Sequence, residues 1–201
     1  MPFLKITEPE EASGAVRAMY DKVAQQHGFV PNWATAFSHR PKVLAAWSEL
    51  LGSIRENMDP CRYELATLAA ARALRSSYCM LAHGSVLARD FFDPAKVAAI
   101  AEDFRSAQLQ DSDVAVMEFA EKVVRDAAAI TQADVDKLHE HGLSDREIFD
   151  VAAAAAARCF LSKTVDALGI QADGKFASLD DELRGRLTIG RPIAGGEHQQ
   201  S

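Results

Sequence analysis

Cysteine is scarce in this chain: the 201 residues carry three, Cys61, Cys79 and Cys159. Three thiols are too few for a disulfide framework and suit a reducing compartment. Long apolar runs are also missing. No stretch reaches the ~20 apolar residues that cross a bilayer, and the opening MPFLKITEPEEAS lacks the apolar region of a secretory signal. The expectation is a cytoplasmic protein with no membrane partner. Basic clusters are absent too. A net charge of -7, from 22 Lys+Arg against 29 Asp+Glu, argues against a nucleic-acid partner. No segment alternates apolar and polar residues with period two, which excludes a conventional sheet. Phosphate-binding glycine loops, dinucleotide fingerprints and the serine nucleophile elbow are all missing, so no cofactor is expected.

What remains is a helical pattern in a soluble composition, 48% hydrophobic and 25% charged. Candidate helices run from Pro9 to about Gln26, around Trp33–Phe37, and from Lys42 to about Glu56. The third carries an apolar stripe of Val43, Leu44, Trp47, Leu50, Leu51 and Ile54. Asp59-Pro60 and Asp93-Pro94 each place an N-cap carboxylate before a proline at the first helical position. They open helices to about Leu74 and through Phe104. A longer amphipathic helix spans about Asp113 to Ala129. Thr131-x-x-Asp134 caps a short one ending at Gly142. Ser144-x-x-Glu147 is a capping box that opens the most apolar helix, through Leu168, with six consecutive alanines from Ala152 to Ala157. Beyond Gln171 the pattern weakens. The expected organisation is one all-α domain, a compact helical bundle over 1–189, followed by a mobile tail over 190–201 whose His198 is no ligand candidate.

The chemistry concentrates between Glu64 and His83, ELATLAAARALRSSYCMLAH. One helix carries Glu64, breaks at Arg75-Ser76-Ser77, and a second helix carries Cys79 and His83. Residues i and i+4 share a helix face, so thiol and imidazole point the same way. Ser76 as N-cap puts Cys79 in the first turn, where free N–H groups and the helix dipole stabilise a thiolate. Spacing alone leaves two readings open, because a free cysteine is often just a small buried apolar side chain. As metal ligands, Cys79 and His83 number only two where zinc usually takes three or four.

Glu64, then twelve residues to Ser76, then Cys79 and His83, resembles the signature of the alkylhydroperoxidase D and carboxymuconolactone decarboxylase superfamily, its peroxidase-related branch. Tyr78 and Ala82 fit the same pattern, as do Gly28-Phe29-Val30-Pro31-Asn32 and Phe37-Ser38-His39-Arg40-Pro41 with Trp47 upstream. One position departs, since Ser76 stands where the family has the first Cys of C-x-x-C. The resemblance implies an oxidoreductase, an antioxidant peroxidase of the peroxiredoxin type. Cys79 would be the nucleophile, His83 and Glu64 a proton relay, and Ser76 and Tyr78 site-lining residues. Its partners would be a small-molecule peroxide and an external thiol reductant, because Ser76 cannot resolve an oxidised Cys79. Cys61 or Cys159 would be the internal alternatives. The resemblance also implies a homo-oligomer. The alternatives are a decarboxylase-like acid–base enzyme on the same scaffold, or a helical binding or assembly protein with a degenerate site.

Overall fold

A helix buried along nearly its whole length organises the molecule. In α4, Pro60–Ala73, every residue from Tyr63 to Ala71 is buried. Its alanines let neighbours approach closely, and it packs most extensively against α7 (Asp111–Asp126), α5 (Ser77–Asp90) and α9 (Asp145–Ala167). Truncating a leucine of this helix, such as Leu65 or Leu68, to alanine costs about 2–5 kcal/mol in a site of this kind. The computed structural model describes residues 2–195 and contains, among them, ten α-helices and no strand. The others are α1 (Gly14–His27), α2 (Asn32–Thr35), α3 (Pro41–Arg55), α6 (Pro94–Asp103), α8 (Gln132–Glu140) and α10 (Asp181–Leu187). The fold is all-α, and no helix among the described residues is long and apolar enough to cross a membrane.

Local chemistry sets most boundaries. Asp59 accepts from the Arg62 N–H and Asp93 from the Lys96 N–H, so both Asp-Pro starts behave as N-caps. Thr131 and Ser144 both form capping boxes, with Asp134 and Glu147. The first helix departs from expectation. It begins at Gly14 rather than Pro9, because Ala12 and Ser13 are extended and only Pro9–Glu11 makes a 3-10 turn. The Tyr20 hydroxyl donates to the Thr7 carbonyl at 2.7 Å and folds that leading segment back on α1. Helix α10 was not foreseen. Asp180 caps it by accepting from the N–H groups of Glu182 and Leu183.

Two features bear on the site. The α4–α5 turn is a Schellman closure, with Ser76 N–H donating to Ala71 O and Arg75 N–H to Arg72 O. It holds Arg75 at φ 56°, where glycine is usual. The second feature lies in the segment expected to be a mobile tail. Residues 190–195 are instead fastened to the body. Gly190 N–H donates to Ser77 Oγ at 2.7 Å, Arg191 donates to the Asp166 carbonyl, and Ala194 N–H donates to Ala172 O. Gly190 lies so close to the α4–α5 turn that any Cβ would collide with the Arg75 carbonyl oxygen. Residues 196–201, including His198, lie outside the described residues.

The apolar stripe of α3 faces two ways. Leu44 and Ile54 are buried, whereas Val43 and Leu50 are exposed, Leu50 by 53%. With Phe160 and the alanines of α9 they line one open apolar groove.

Candidate active site

Cys79 sits in the first turn of α5, 3% exposed, and its sulfur is approached from α9. Ser162 Oγ donates to Sγ at 3.0 Å, and Arg158 Nη1 faces it at 3.9 Å. Arg158 is itself only 3% exposed. Its Nη2 donates to the Tyr63 hydroxyl at 3.2 Å, and its Nε has no partner. Among the described residues Arg158 forms no ion pair with a carboxylate. Burial works against its charge, but Cys79 and Tyr63 beside it hold the guanidinium protonated.

The second group of residues comes from α4 and α5. Glu64 Oε2 and His83 Nδ1 are 2.6 Å apart. Burial pushes the Glu64 carboxyl upward, but His83, Arg55 and Arg158 outweigh it and hold the group below the usual carboxylate range. Glu64 is therefore an anionic acceptor, and His83 carries its proton on Nδ1. Burial first, and the Arg158 charge second, lower the His83 pKa from its ordinary 6.5 despite that acceptor. The ring is neutral at pH 7, with Nε2 left unprotonated.

Tyr78 closes a wall. Its hydroxyl donates to Asp173 Oδ2 in a short hydrogen bond and accepts from the Trp33 N–H at 3.1 Å. Asp173 Oδ1 accepts from the Asn32 N–H at 2.8 Å. Burial and the Asp173 charge raise the phenol far above its ordinary range, so Tyr78 is a fixed neutral donor.

These groups surround a cavity of about 430 Å³ lined by Cys79, Tyr78, His83, Arg158 and the two tryptophans, Trp33 and Trp47. A second cavity of about 410 Å³ lies across His83 and Tyr78 and reaches Glu64, Asp173 and Lys175. Of the residues singled out from the sequence, Cys79, His83 and Tyr78 thus share one cavity, and Glu64 joins them through His83. Ser76 does not. It is fully buried beside Asp166, lines neither cavity, makes no side-chain capping bond and does not reach the sulfur. The hydroxyl that bonds Cys79 belongs to Ser162.

The other cysteines are set differently. Cys61 is half-buried near Asp113, Asp59 and Glu64, and burial with those charges pushes its thiol up to about 11. Cys159 is half-exposed on α9. Both are free and neither lines the Cys79 cavity. Among the described residues no three His, Cys, Asp or Glu side chains converge to hold a metal.

Neither a protein-family model nor a curated protein matches the sequence. Solved structures do match. The crystal structure of a peroxidase-related protein of Ralstonia eutropha JMP134, an alkylhydroperoxidase AhpD core, superposes with TM-score 0.77 at 22% identity, covering 94% of this chain and 98% of that one. The fold is that of the alkylhydroperoxidase D core. A peroxidase-related protein of Silicibacter sp. TM1040 matches with TM-score 0.75 at 21% identity, over 88% of this chain and 98% of that one. A third match, TM-score 0.71 at 19% identity over 93% and 98% of the two chains, is the debrominase Bmp8. It was crystallised as a cysteine-to-alanine variant with 2,3,4-tribromopyrrole.

Within this alkylhydroperoxidase D core, sequence reasoning missed Arg158, Ser162, Tyr63 and Asp173. A signal for the first two was present. Arg158 and Ser162 are i and i+4 on the most apolar helix, and a cation inside an alanine run demands a partner. Tyr63 and Asp173 carried no such mark.

Proposed function

We propose that the protein is a thiol-dependent peroxidase of the alkylhydroperoxidase D-like superfamily, acting through Cys79. The observation that carries this reading is Arg158. A buried guanidinium without a carboxylate counter-ion is costly, and the Cys79 sulfur faces it at 3.9 Å. The reading has Cys79 react as a thiolate, with the Arg158 cation and the Ser162 hydroxyl facing the sulfur.

The chemistry follows from those positions. The thiolate attacks the terminal oxygen of a hydroperoxide, the S–O bond forms, and the O–O bond breaks. Sulfur is oxidised to a sulfenic acid and the peroxide is reduced to an alkoxide. His83 Nε2 relays a solvent proton to that alkoxide, giving an alcohol, while Glu64 stabilises the imidazolium formed in passing. A small external thiol then condenses with the sulfenic acid, releasing water and leaving a mixed disulfide. A second thiol displaces the first as a disulfide and regenerates Cys79. External reduction suits a site in which position 76 is serine and Cys61 is held protonated by burial and its acidic neighbours.

Consumption of cumene hydroperoxide by purified protein with dithiothreitol tests the proposal. Wild type should turn over and form a dimedone adduct at Cys79, and Cys79→Ser should do neither. Equal consumption by the two proteins would remove the thiol from the reaction.

A further inference from the structure

We infer that the occupant of this site is an anionic molecule, an apolar or aromatic body bearing one carboxylate, and that Arg55 is the residue that recognises it. The inference rests on the peroxidase reading only for the chemistry at Cys79, where it makes the substrate a hydroperoxide that carries a carboxylate elsewhere.

The argument starts from which charges are already used. Three carboxylates border the two cavities, and each has a partner. Glu64 is held by His83, Asp173 by Tyr78 and the Asn32 N–H, and Asp90 by Arg89. The cations are less fully matched. Arg55 lines both cavities, lies over the Tyr63 ring at 4.8 Å, and its side chain makes no hydrogen bond or ion pair among the described residues. Lys175, in the outer cavity, has only the faces of Phe29 and Phe176. Arg158, the innermost cation, is already engaged by Cys79 and Tyr63. In a chain of net charge -7, this leaves Arg55 and Lys175 as two cations on the concave walls of the cavities without a carboxylate hydrogen-bond partner among the described residues. Such a wall attracts and orients anions.

Geometry assigns the ends of the ligand. Arg55 belongs to the boundary the two cavities share, and its guanidinium lies over the Tyr63 ring. A planar fork at this position suits a carboxylate bound through two N–H groups. Inward of it the 430 Å³ cavity is walled by Trp33, Trp47, Leu51, Leu161 and Val165, surfaces for an aromatic or branched body. The two ends lie in one cavity with Cys79, so a carboxylate held at Arg55 directs the opposite end of the molecule inward.

The assay is built into the chain. Its two tryptophans, Trp33 and Trp47, both line the cavity, so intrinsic fluorescence reports occupancy. Wild type is titrated with 4-phenylbutyrate and with its neutral isostere 4-phenylbutyramide, which differ only in the charged head. The expected result is saturable quenching with the carboxylate at least tenfold tighter than the amide, about 1.4 kcal/mol. Arg55→Met should erase that preference, and Arg55→Lys, which keeps the charge but not the fork, should retain part of it. Arg55 is exposed, so neither variant threatens the core. Equal affinity for the two compounds, no saturable change with either, or a preference that survives Arg55→Met would overturn the inference. The titration is repeated in Cys79→Ser, which cannot do thiol chemistry. Carboxylate preference there, together with no peroxide turnover in wild type, keeps the anion site and discards the peroxidase reading. Turnover without preference does the reverse.

Discussion

Replacing Arg158 by methionine separates a thiolate at Cys79 from a neutral thiol, because stability and reactivity respond differently in the two cases. The side chain keeps much of its length and loses its charge. At the observed 3.9 Å between Nη1 and Sγ, two opposite charges attract by about 4 kcal/mol at an effective dielectric of ~20. Desolvation of the pair removes part of this, which leaves roughly the 1.5–3 kcal/mol of a hydrogen bond to a charged group. If Cys79 is a thiolate at rest, the variant loses that stabilisation and the sulfur takes up a proton. Its alkylation by iodoacetamide at pH 7 should then slow about 10- to 150-fold. Folding stability in urea should change little, since a buried cation and its counter-charge disappear together. If Cys79 is a neutral thiol, the guanidinium is an uncompensated buried charge. Its removal would raise stability by ~1 kcal/mol or more and leave the alkylation rate within about twofold. That second pair of results would refute the assignment. The rate is read for Cys79 alone by mass spectrometry, because Cys61 and Cys159 are also free.

Acid should weaken the fold through the relay. His83 and Glu64 both bind protons less readily in the native chain than their ordinary 6.5 and 4.5 imply. The unfolded state therefore takes up protons first, and unfolding free energy in urea should fall as pH drops from 7 through 6.5 and onward; in His83→Gln the fall near 6.5 should flatten, and an unchanged slope there would count against a neutral buried His83. Ser162→Cys should place a second thiol beside Cys79, since Ser162 Oγ is already 3.0 Å from Sγ. Peroxide should then cost that variant two free thiols as an internal disulfide, where wild type accumulates sulfenic acid, and a variant whose thiol count matches wild type would contradict the packing of α9 on α5. Finally, the exposed Val43, Leu50 and Phe160 around one apolar groove favour self-association. Light scattering at micromolar concentration should give a mass above the 21.8 kDa chain and Leu50→Glu should lower it, whereas a wild-type monomer would set the idea aside.

The parts legible in the sequence were those whose causes are local. Asp59-Pro60, Asp93-Pro94, Thr131 and Ser144 announce helix starts through caps formed within four residues, and the structure uses all four. Pairing Cys79 with His83 needs only helix periodicity. What could not be read is what arrives from a distance. Ser76 was expected to line the site from the family pattern, three positions before Cys79, yet the hydroxyl that bonds Cys79 comes from Ser162, 83 positions away. Tyr78 gave no hint of Asp173, 95 positions on. The start of α1 was misplaced for a related reason: Thr7-x-x-Glu10 mimics a capping box, but the segment is drawn off by the Tyr20 hydroxyl instead. The α3 stripe likewise said that a face was apolar without saying what would cover it.

The clasp of Gly190 on Ser77 spans 113 positions, and this has a consequence for the chain while it is being made. Cys79 leaves the ribosome long before the residues that surround it. Its cation, its hydroxyl partner, the acid that anchors Tyr78 and the clasp over the α4–α5 turn follow in the order 158, 162, 173 and 190. Contacts of such separation cannot form until both partners are available, and closing such long loops is slow. The surroundings of Cys79 are assembled only on completion of the fold, so a truncated or stalled product carries the cysteine without them.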